Sequence, residues 1–352
     1  MERLLNTVSP LLNKVCFMSS INLNRRKFIQ STGAASLVAG AALQAPLLGK
    51  EKSPGNPENI VKRLYDTLTE SQKKVVAFDW DHMDPKRGLL RTRIANNWHI
   101  TQPILNSDFY TDEQRDMIRM IYEGLLATDW HAKFDKQQED DTGGFGETNN
   151  IAIFGEPGSD QFEFVMTSRH LTLRADGNTT DHVAFGGPLF YGHDPHGTFN
   201  EEPDHYGNVF WEQAVVANSV YKLLDKDQRK EAEVAKTVRE QAVSFKGAKG
   251  GFQGIAVKEL KDAQKEAVQK TLQSLVSMFR KSDQQEALAC IKKQGGLDAC
   301  HLAFYTDNDV GADKVWDNWR LEGPSFVWHF RGAPHVHVWV NIADSAEVKL
   351  NA

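Results

Sequence analysis

Two stretches of strict alternation constrain this chain more than anything else in it. From Phe162 to Leu173, the residues Phe162, Phe164, Met166, Ser168 and His170 share one face of an extended chain, while Glu163, Val165, Thr167, Arg169 and Leu171 share the other. A Gly177-Asn178 turn then leads into a second β-rich run, His182 to Tyr191. Near the end, Ser325 to Phe330 and His335 to Ile342 form two more such runs, joined by the tight reversal Arg331-Gly332-Ala333-Pro334. Both regions read as hairpins, which predicts an antiparallel sheet.

The helices announce themselves by their caps. The phrases Leu68-Thr-Glu-Ser-Gln72-Lys73, Tyr110-Thr-Asp-Glu-Gln114-Arg115 and Leu224-Asp-Lys-Asp-Gln228-Arg229 each place Thr or Asp three residues before Gln. That spacing is a capping box: the first side chain accepts an orphan backbone N–H, and Gln reaches back to the cap residue's own N–H. The phrase is too short to establish an internal repeat. Helical spacing also marks Phe210, Ala214, Ala217, Tyr221 and Leu224, and later Leu260, Ala267, Thr271, Leu275 and Met278. Ser282 with Gln285 predicts a further helix that stops at Gly295, and the glycines of Lys246 to Gly254 mark a connector or lid. The expected fold is α+β: an antiparallel sheet built from hairpins, with several capped helices packed on it.

The N-terminal residues 1–45 carry a different signal. Asn24-Arg25-Arg26-Lys27-Phe28-Ile29-Gln30 precedes an uncharged stretch, Ser31 to Gly49, which is the order of a twin-arginine export signal. Its apolar run is interrupted by Gly33, Ser36 and Gly40 and is too short to hold a bilayer, so no stable membrane span is expected. Cleavage near Ala41 to Ala45 fits best, an uncleaved tether stays open, and Met18 is an alternative start to Met1. Residues 46–58, polar and containing Pro54 and Pro57, read as a linker, and 59–352 as a single globular domain. The expected partner is the twin-arginine machinery, and the expected location periplasmic or otherwise exported.

Export would also change the charge. The formal net charge is −6, and losing Met1 to Ala42, with five basic residues against Glu2, takes it to −10. No basic stripe survives to hold a phosphate backbone, which argues against nucleic acid and anionic membranes. Cys16 lies in the leader, leaving Cys290 and Cys300 on either side of Gly295-Gly296 as a candidate disulfide in an oxidising compartment, or as two separate buried thiols.

Several of these segments together resemble a known family. The capped Gln-Arg and Gln-Lys phrases, the Ser-Arg-His-Leu-Thr-Leu of Phe164 to Leu173, the run Pro188-Leu-Phe-Tyr-Gly-His-Asp-Pro195 and the ending Trp316 to Val340 are similar to the domain of unknown function family numbered 3500. The resemblance implies one fold over nearly the whole mature chain and carries no established activity. It also implies a His-His pair where this chain has Arg169-His170, and a His-x-His matched by His335-Val336-His337.

Histidines offer the clearest chemistry. His335 and His337 are two apart on a predicted strand, so both rings point to one face and can converge on one ion. Trp339 continues that face. With the chain folding back through Gly332-Ala333, His329 is expected nearly opposite His337. His170, on the other hairpin, is the next choice, which makes His170, His335 and His337 the expected metal ligands, with His329 or His193 as a fourth. Three imidazoles with an open position suit Zn, Cu, Fe or Mn. His193 and His196 could complete or edge the site. Asp79-Trp-Asp81-His82-Met-Asp84 lacks the glycine and terminal Glu of a calcium loop and reads as a polar turn, and Glu139-Asp140-Asp141 as a solvated loop. No Gly-x-Ser-x-Gly elbow, phosphate loop or dinucleotide fingerprint occurs. Trp98, Trp211, Trp316, Trp319, Trp328 and Trp339 could stack on a sugar or aromatic ligand, although aromatics at regular spacing are core by default. The expected function is therefore a metal-dependent enzyme acting on a small organic or carbohydrate-derived molecule. The alternative is a non-catalytic periplasmic protein that binds such a ligand with the same side chains.

Overall fold

A computed structural model describes residues 56–177, 183–195, 207–307, 309 and 314–350. The export signal, most of the linker, Asn178, His182 and His196 lie outside the described residues. Among the described residues, no helix is long and apolar enough to cross a membrane.

The chain opens with α1 (Pro57–Thr67), capped by Asn56 with Pro57 in its first turn, so the predicted linker boundary at residue 58 falls inside a helix. Then come α2 (Glu70–Val76), β1 (Ala77–Phe78), the small pair β2 (Met83–Asp84) and β3 (Gly88–Leu89), α3 (Asp112–Leu125), α4 (His131–Thr142), and strands β4 (Asn150–Gly155), β5 (Phe162–Ser168), β6 (Leu171–Asp176) and β7 (Leu189–His193). The second part runs α5 (Glu212–Leu223), α6 (Lys226–Ala232), β8 (Glu233–Val234), β9 (Ile255–Ala256), α7 (Asp262–Val276), α8 (Lys281–Lys293), β10 (His301–Tyr305), β11 (Asn318–Gly323), β12 (Phe326–Arg331) and β13 (Val336–Ile342).

All three expected capping boxes form: Thr69 with Gln72 starts α2, Thr111 with Gln114 starts α3, and Asp225 with Gln228 starts α6. Each box is worth about 1 kcal/mol of helix stability. Ser282 does not cap α8; the helix begins one residue earlier, after Arg280, and Ser282 lies in its first turn.

The strands make one eleven-stranded sheet of order β1-β4-β5-β6-β7-β13-β12-β11-β10-β8, with β9 also on β10. It is mixed, not purely antiparallel as expected from the hairpins. The two outermost pairs, β1 with β4 and β8 with β10, are parallel. Each of these short strands is the continuation of a helix (α2 into β1, α6 into β8), a connection that the hairpin pattern does not predict.

The strand order is a palindrome, and the element order explains it. Helix, helix, short strand, two helices and four antiparallel strands occur twice, at 57–193 and 212–342. The repeat extends to side chains. Gln72 and Gln114 exchange hydrogen bonds at 2.8 and 3.2 Å, and Gln114 also donates to the Thr67 carbonyl. In the second half Gln228 and Gln264 do the same at 3.0 and 2.7 Å, and Gln264 donates to the Leu223 carbonyl. The halves join where β7 pairs antiparallel with β13, and the pairing of Leu189 with Val340 marks the local two-fold, since the registers make those two residues counterparts. The capped phrases at Thr69 and Asp225 thus occupy equivalent places in the two halves.

One face of the sheet is apolar, with Ile153, Phe164, Leu173, Tyr191, Val338, Trp328, Leu321 and Phe304 buried under the helices in one continuous core. The other face is mixed and also buried: beside apolar Phe154, Val165, Phe190 and Trp339, the polar residues Glu163, Thr172, Arg174, Arg320, His329, His337 and Asn341 are each 4 % exposed or less. It is covered by irregular segments, residues 79–105 on the first half and 235–254 on the second. These segments satisfy it with backbone groups: Arg174 donates to the Arg93 carbonyl at 2.6 Å, Arg320 to that of Ala242 at 2.9 Å and Asn341 to that of Val243 at 2.9 Å. The Gly-rich stretch 246–254 belongs to this cover, where the Gly247 N–H bonds the Pro324 carbonyl.

Candidate metal centre

The alternating run at Phe162 is not one strand. It breaks at Arg169-His170 into a two-residue hairpin turn, with Ser168 paired to Leu171. Neither turn residue is Gly, Asn or Pro, and so the sequence carries no turn signal there. His170 instead takes a left-handed conformation, φ 54°. That backbone costs a non-glycine residue about 1–2 kcal/mol, and it swings the imidazole back over the end of the sheet instead of along a strand face.

His335 and His337 arrive from the β12–β13 connection and the start of β13. Strand periodicity points both rings to one face, and Gly192 of β7, paired with His337, makes room for them. A Cβ on Gly192 would stand 2.3 Å from the Val336 carbonyl oxygen, 3.3 Å from the His337 ring and 3.4 Å from the His170 ring. The three imidazoles therefore meet. His335 Nε2 lies 2.9 Å from His337 Nε2, which lies 3.1 Å from His170 Nε2, and one nitrogen from each ring falls within 4.8 Å of the others.

Each of the three rings turns its other nitrogen toward a carboxylate. His170 Nδ1–H donates to Asp141 Oδ2 at 2.9 Å and His337 Nδ1–H to Glu240 Oε2 at 3.1 Å, while His335 Nδ1 faces Asp194 Oδ2 at 3.8 Å. Both carboxylates that accept are held below their usual range. Burial works against this, but the hydrogen bond from His170, with those from Gln137 and the Asp194 N–H, outweighs it at Asp141, and His337 with Arg331 outweighs it at Glu240. With Nδ1 carrying the proton, the Nε2 atoms of His170 and His337 present lone pairs to each other. Burial, first of all, then lowers His335 to about 4 and His337 to about 3, with neighbouring His170 and Arg331 adding to the effect. A cation between the rings would remove the repulsion between those lone pairs.

Two of the three spacings, 2.9 and 3.1 Å, fit one. Two nitrogen ligands about 2.1 Å from an ion stand roughly 3.0 Å apart at a right angle and about 3.4 Å apart at the tetrahedral angle. Rings fixed through Nδ1 by carboxylates are also the usual outer arrangement of metal-binding histidines.

The expected fourth ligands do not join. His193 is fully used, accepting from the Val209 N–H at Nδ1 and donating to Asp140 at Nε2, 2.9 Å. His329 is one strand step off: it pairs with Trp339, whereas Arg331 stands opposite His337. Its Nδ1 accepts from Arg320 at 3.2 Å, and it is fully buried. Cys290 and Cys300 are two buried thiols with no bond between them, and burial pushes the Cys300 thiol up to about 12. The tryptophans Trp211, Trp319, Trp328 and Trp339 are core, each 2 % exposed or less.

Asp141, Glu240 and Asp194 escaped the sequence reading. Glu139-Asp140-Asp141 is not a solvated loop: Asp141 is buried in the last turn of α4, just before Gly143 in the left-handed cap. One signal was available, because adjacent carboxylates at a helix C-terminus oppose the helix dipole and call for a compensating cation. Two grooves of about 970 Å³ flank the outer strands, one by Tyr65 and Phe78 and its counterpart by Tyr221 and Glu233, and neither is lined by His170, His335 or His337.

No curated protein and no solved structure matches the chain. The model of the family described as protein of unknown function (DUF3500) matches residues 56–341, most of the chain, and the chain therefore belongs to that family.

Proposed function

We propose that this is an exported metal-dependent enzyme acting on a small organic or carbohydrate-derived molecule at His170, His335 and His337. The observation that carries the reading is the convergence of three imidazole nitrogens whose rings all face carboxylates at their far side. His170 and His337 are deeply buried, but the His335 side chain is 21 % exposed, so the cluster opens toward solvent at His335. A Zn, Cu, Fe or Mn ion bound there would keep open positions with which to polarise a substrate or activate water or dioxygen. The protein's own part is to fix the rings of His170 and His337 through Asp141 and Glu240, and to hold the left-handed turn that aims His170.

Export by the twin-arginine route, suggested by Arg25-Arg26 and the apolar run after them, fits a protein that acquires its metal before crossing the membrane. Replacing Arg25 and Arg26 by lysines and following the protein between cytoplasmic and exported fractions tests this part, and unchanged export would overturn it. For the centre itself, the test is elemental analysis of protein from its native compartment beside a His335→Ala, His337→Ala variant. The expected result is about one transition metal per chain in the parent and none in the variant. A folded parent with no transition metal would sink the proposal.

A further inference from the structure

Two arginines stand at the solvent side of the histidine cluster, and each reaches it through a different carboxylate. Arg169, the first residue of the strained turn, donates to Asp194 at 2.8 Å, and Asp194 is the carboxylate facing His335. Arg331 lies directly opposite His337 in the sheet, donates to the His335 carbonyl at 3.1 Å and stands 3.5 Å from Glu240. Their side chains are 33 % and 20 % exposed, much like the 21 % of His335 and unlike the buried His170 and His337. The open side of the cluster is thus bordered by guanidinium groups. Each fork has five N–H donors, and these contacts occupy only part of either set.

Charge counting sharpens the point. A divalent ion with Arg169 and Arg331 brings four positive charges, and Asp141, Asp194 and Glu240 bring three negative ones. Asp140, the next carboxylate, is already matched by Lys136. Among the described residues, the centre is left with one positive charge on its accessible side, which is the complement of a monoanion. A neutral molecule would leave it uncompensated in a partly buried place.

We propose that the molecule bound at this centre carries a carboxylate, with one oxygen directed to the ion and the other to Arg331, and with Arg169 adding charge from the far side. This rests on the metal-dependent reading above. Planar guanidinium matches carboxylate geometry, and such charge-assisted bonds are the strong ones. The arginines are specificity residues here; the metal ligands are the histidines.

The test uses full-length protein loaded with Co(II), whose visible spectrum reports on ligands entering its coordination. Acetate and its neutral isostere acetamide are titrated against the parent, Arg331→Gln, Arg331→Lys and Arg169→Gln, with cobalt content and circular dichroism measured on each. Acetate should perturb the spectrum at a concentration at least about tenfold below acetamide, as a charge-assisted hydrogen bond would give. Arg331→Gln should weaken acetate about tenfold, Arg331→Lys less and Arg169→Gln about threefold, with cobalt content unchanged. Cobalt uptake with no preference for acetate, or with the preference intact in both glutamine variants, overturns the carboxylate proposal and leaves the metal centre standing. Failure of the folded parent to take up any cobalt overturns both. Should Arg331→Gln fail to fold, Arg169→Gln still decides.

Discussion

The two halves of this molecule have the same elements and different ends. In the first half the hairpin β5–β6 turns through Arg169-His170; in the second, the corresponding hairpin β11–β12 turns through Pro324-Ser325. By register, the first-half counterparts of His335 and His337 are Ala184 and Gly186, which sit in a 3-10 turn ahead of β7 instead of in an extended strand. At the second-half turn Ser325 donates to the Ala343 carbonyl, and its N–H bonds Gln294. The local two-fold therefore creates two similar ends beside the β7–β13 seam, and among the described residues only one gathers histidines. His170, Asp141 and Asp194 come from the first half, His335, His337 and Glu240 from the second. The two halves share a scaffold, and their differences at one turn and one strand end gather a histidine cluster that neither half contains alone.

The largest effect that could break this comparison concerns the histidines. His335→Ala with His337→Ala should abolish metal binding, whereas Ser325→Ala at the equivalent end should leave it intact, as metal content would show. Equal loss in both would mean that the two ends are not functionally distinct. Next come the carboxylates: Asp141→Asn and Glu240→Gln should each weaken metal binding by about 10–100-fold without unfolding the protein, measured by competition with a chelator.

Acid response gives a third test. His335 and His337 have folded-state values lowered to about 4 and about 3 from an ordinary 6.5, so between pH 6.5 and those values the unfolded chain binds protons that the native one does not. Native stability from these groups is then complete above about pH 6.5 and is lost as pH falls through the folded values. Metal-free protein should lose thermal stability on acidification across this window, and the double alanine variant should show a shallower slope. A parallel pair of curves would contradict the buried, neutral cluster.

The smallest effect compares the matched glutamines. Gln114 and Gln264 do the same work, but Gln72 beside the first is buried, whereas Gln228 beside the second is half-exposed. Gln114→Ala leaves the more deeply buried partner unsatisfied and should cost about 2–3 kcal/mol, and Gln264→Ala about 1–2 kcal/mol, in urea unfolding. The reverse order would mean that the second half carries the more critical pair.

Local chemistry was legible in the sequence wherever a side chain acts on its own backbone. Thr69, Thr111 and Asp225 cap their helices because a polar side chain at that spacing reaches the first turn whatever lies around it. His335 and His337 share a face because strand geometry alternates. The fourth Gln box was hidden, since Lys261 stands where Thr or Asp stands elsewhere, although Gln264 still accepts from its N–H. The correspondence of the halves was hidden for a related reason: segments of unequal length separate matching elements, so the chain keeps no fixed period.

Other features existed only once the chain had folded. Whether His329 or Arg331 stands opposite His337 depends on a sheet register set by packing, and one step of two residues removed an expected ligand. The break at Arg169-His170 depends on surroundings that over-determine an unfavourable φ. Asp141, Asp194 and Glu240 lie far apart in sequence and acquire their role only through the rings that they face. The sequence by itself determined the capped helices, the paired strands and the His-x-His, because these rest on short-range periodicity. Tertiary structure alone decided the mixed sheet, the two-fold and the second tier of the centre, because those depend on long-range pairing that no local pattern encodes.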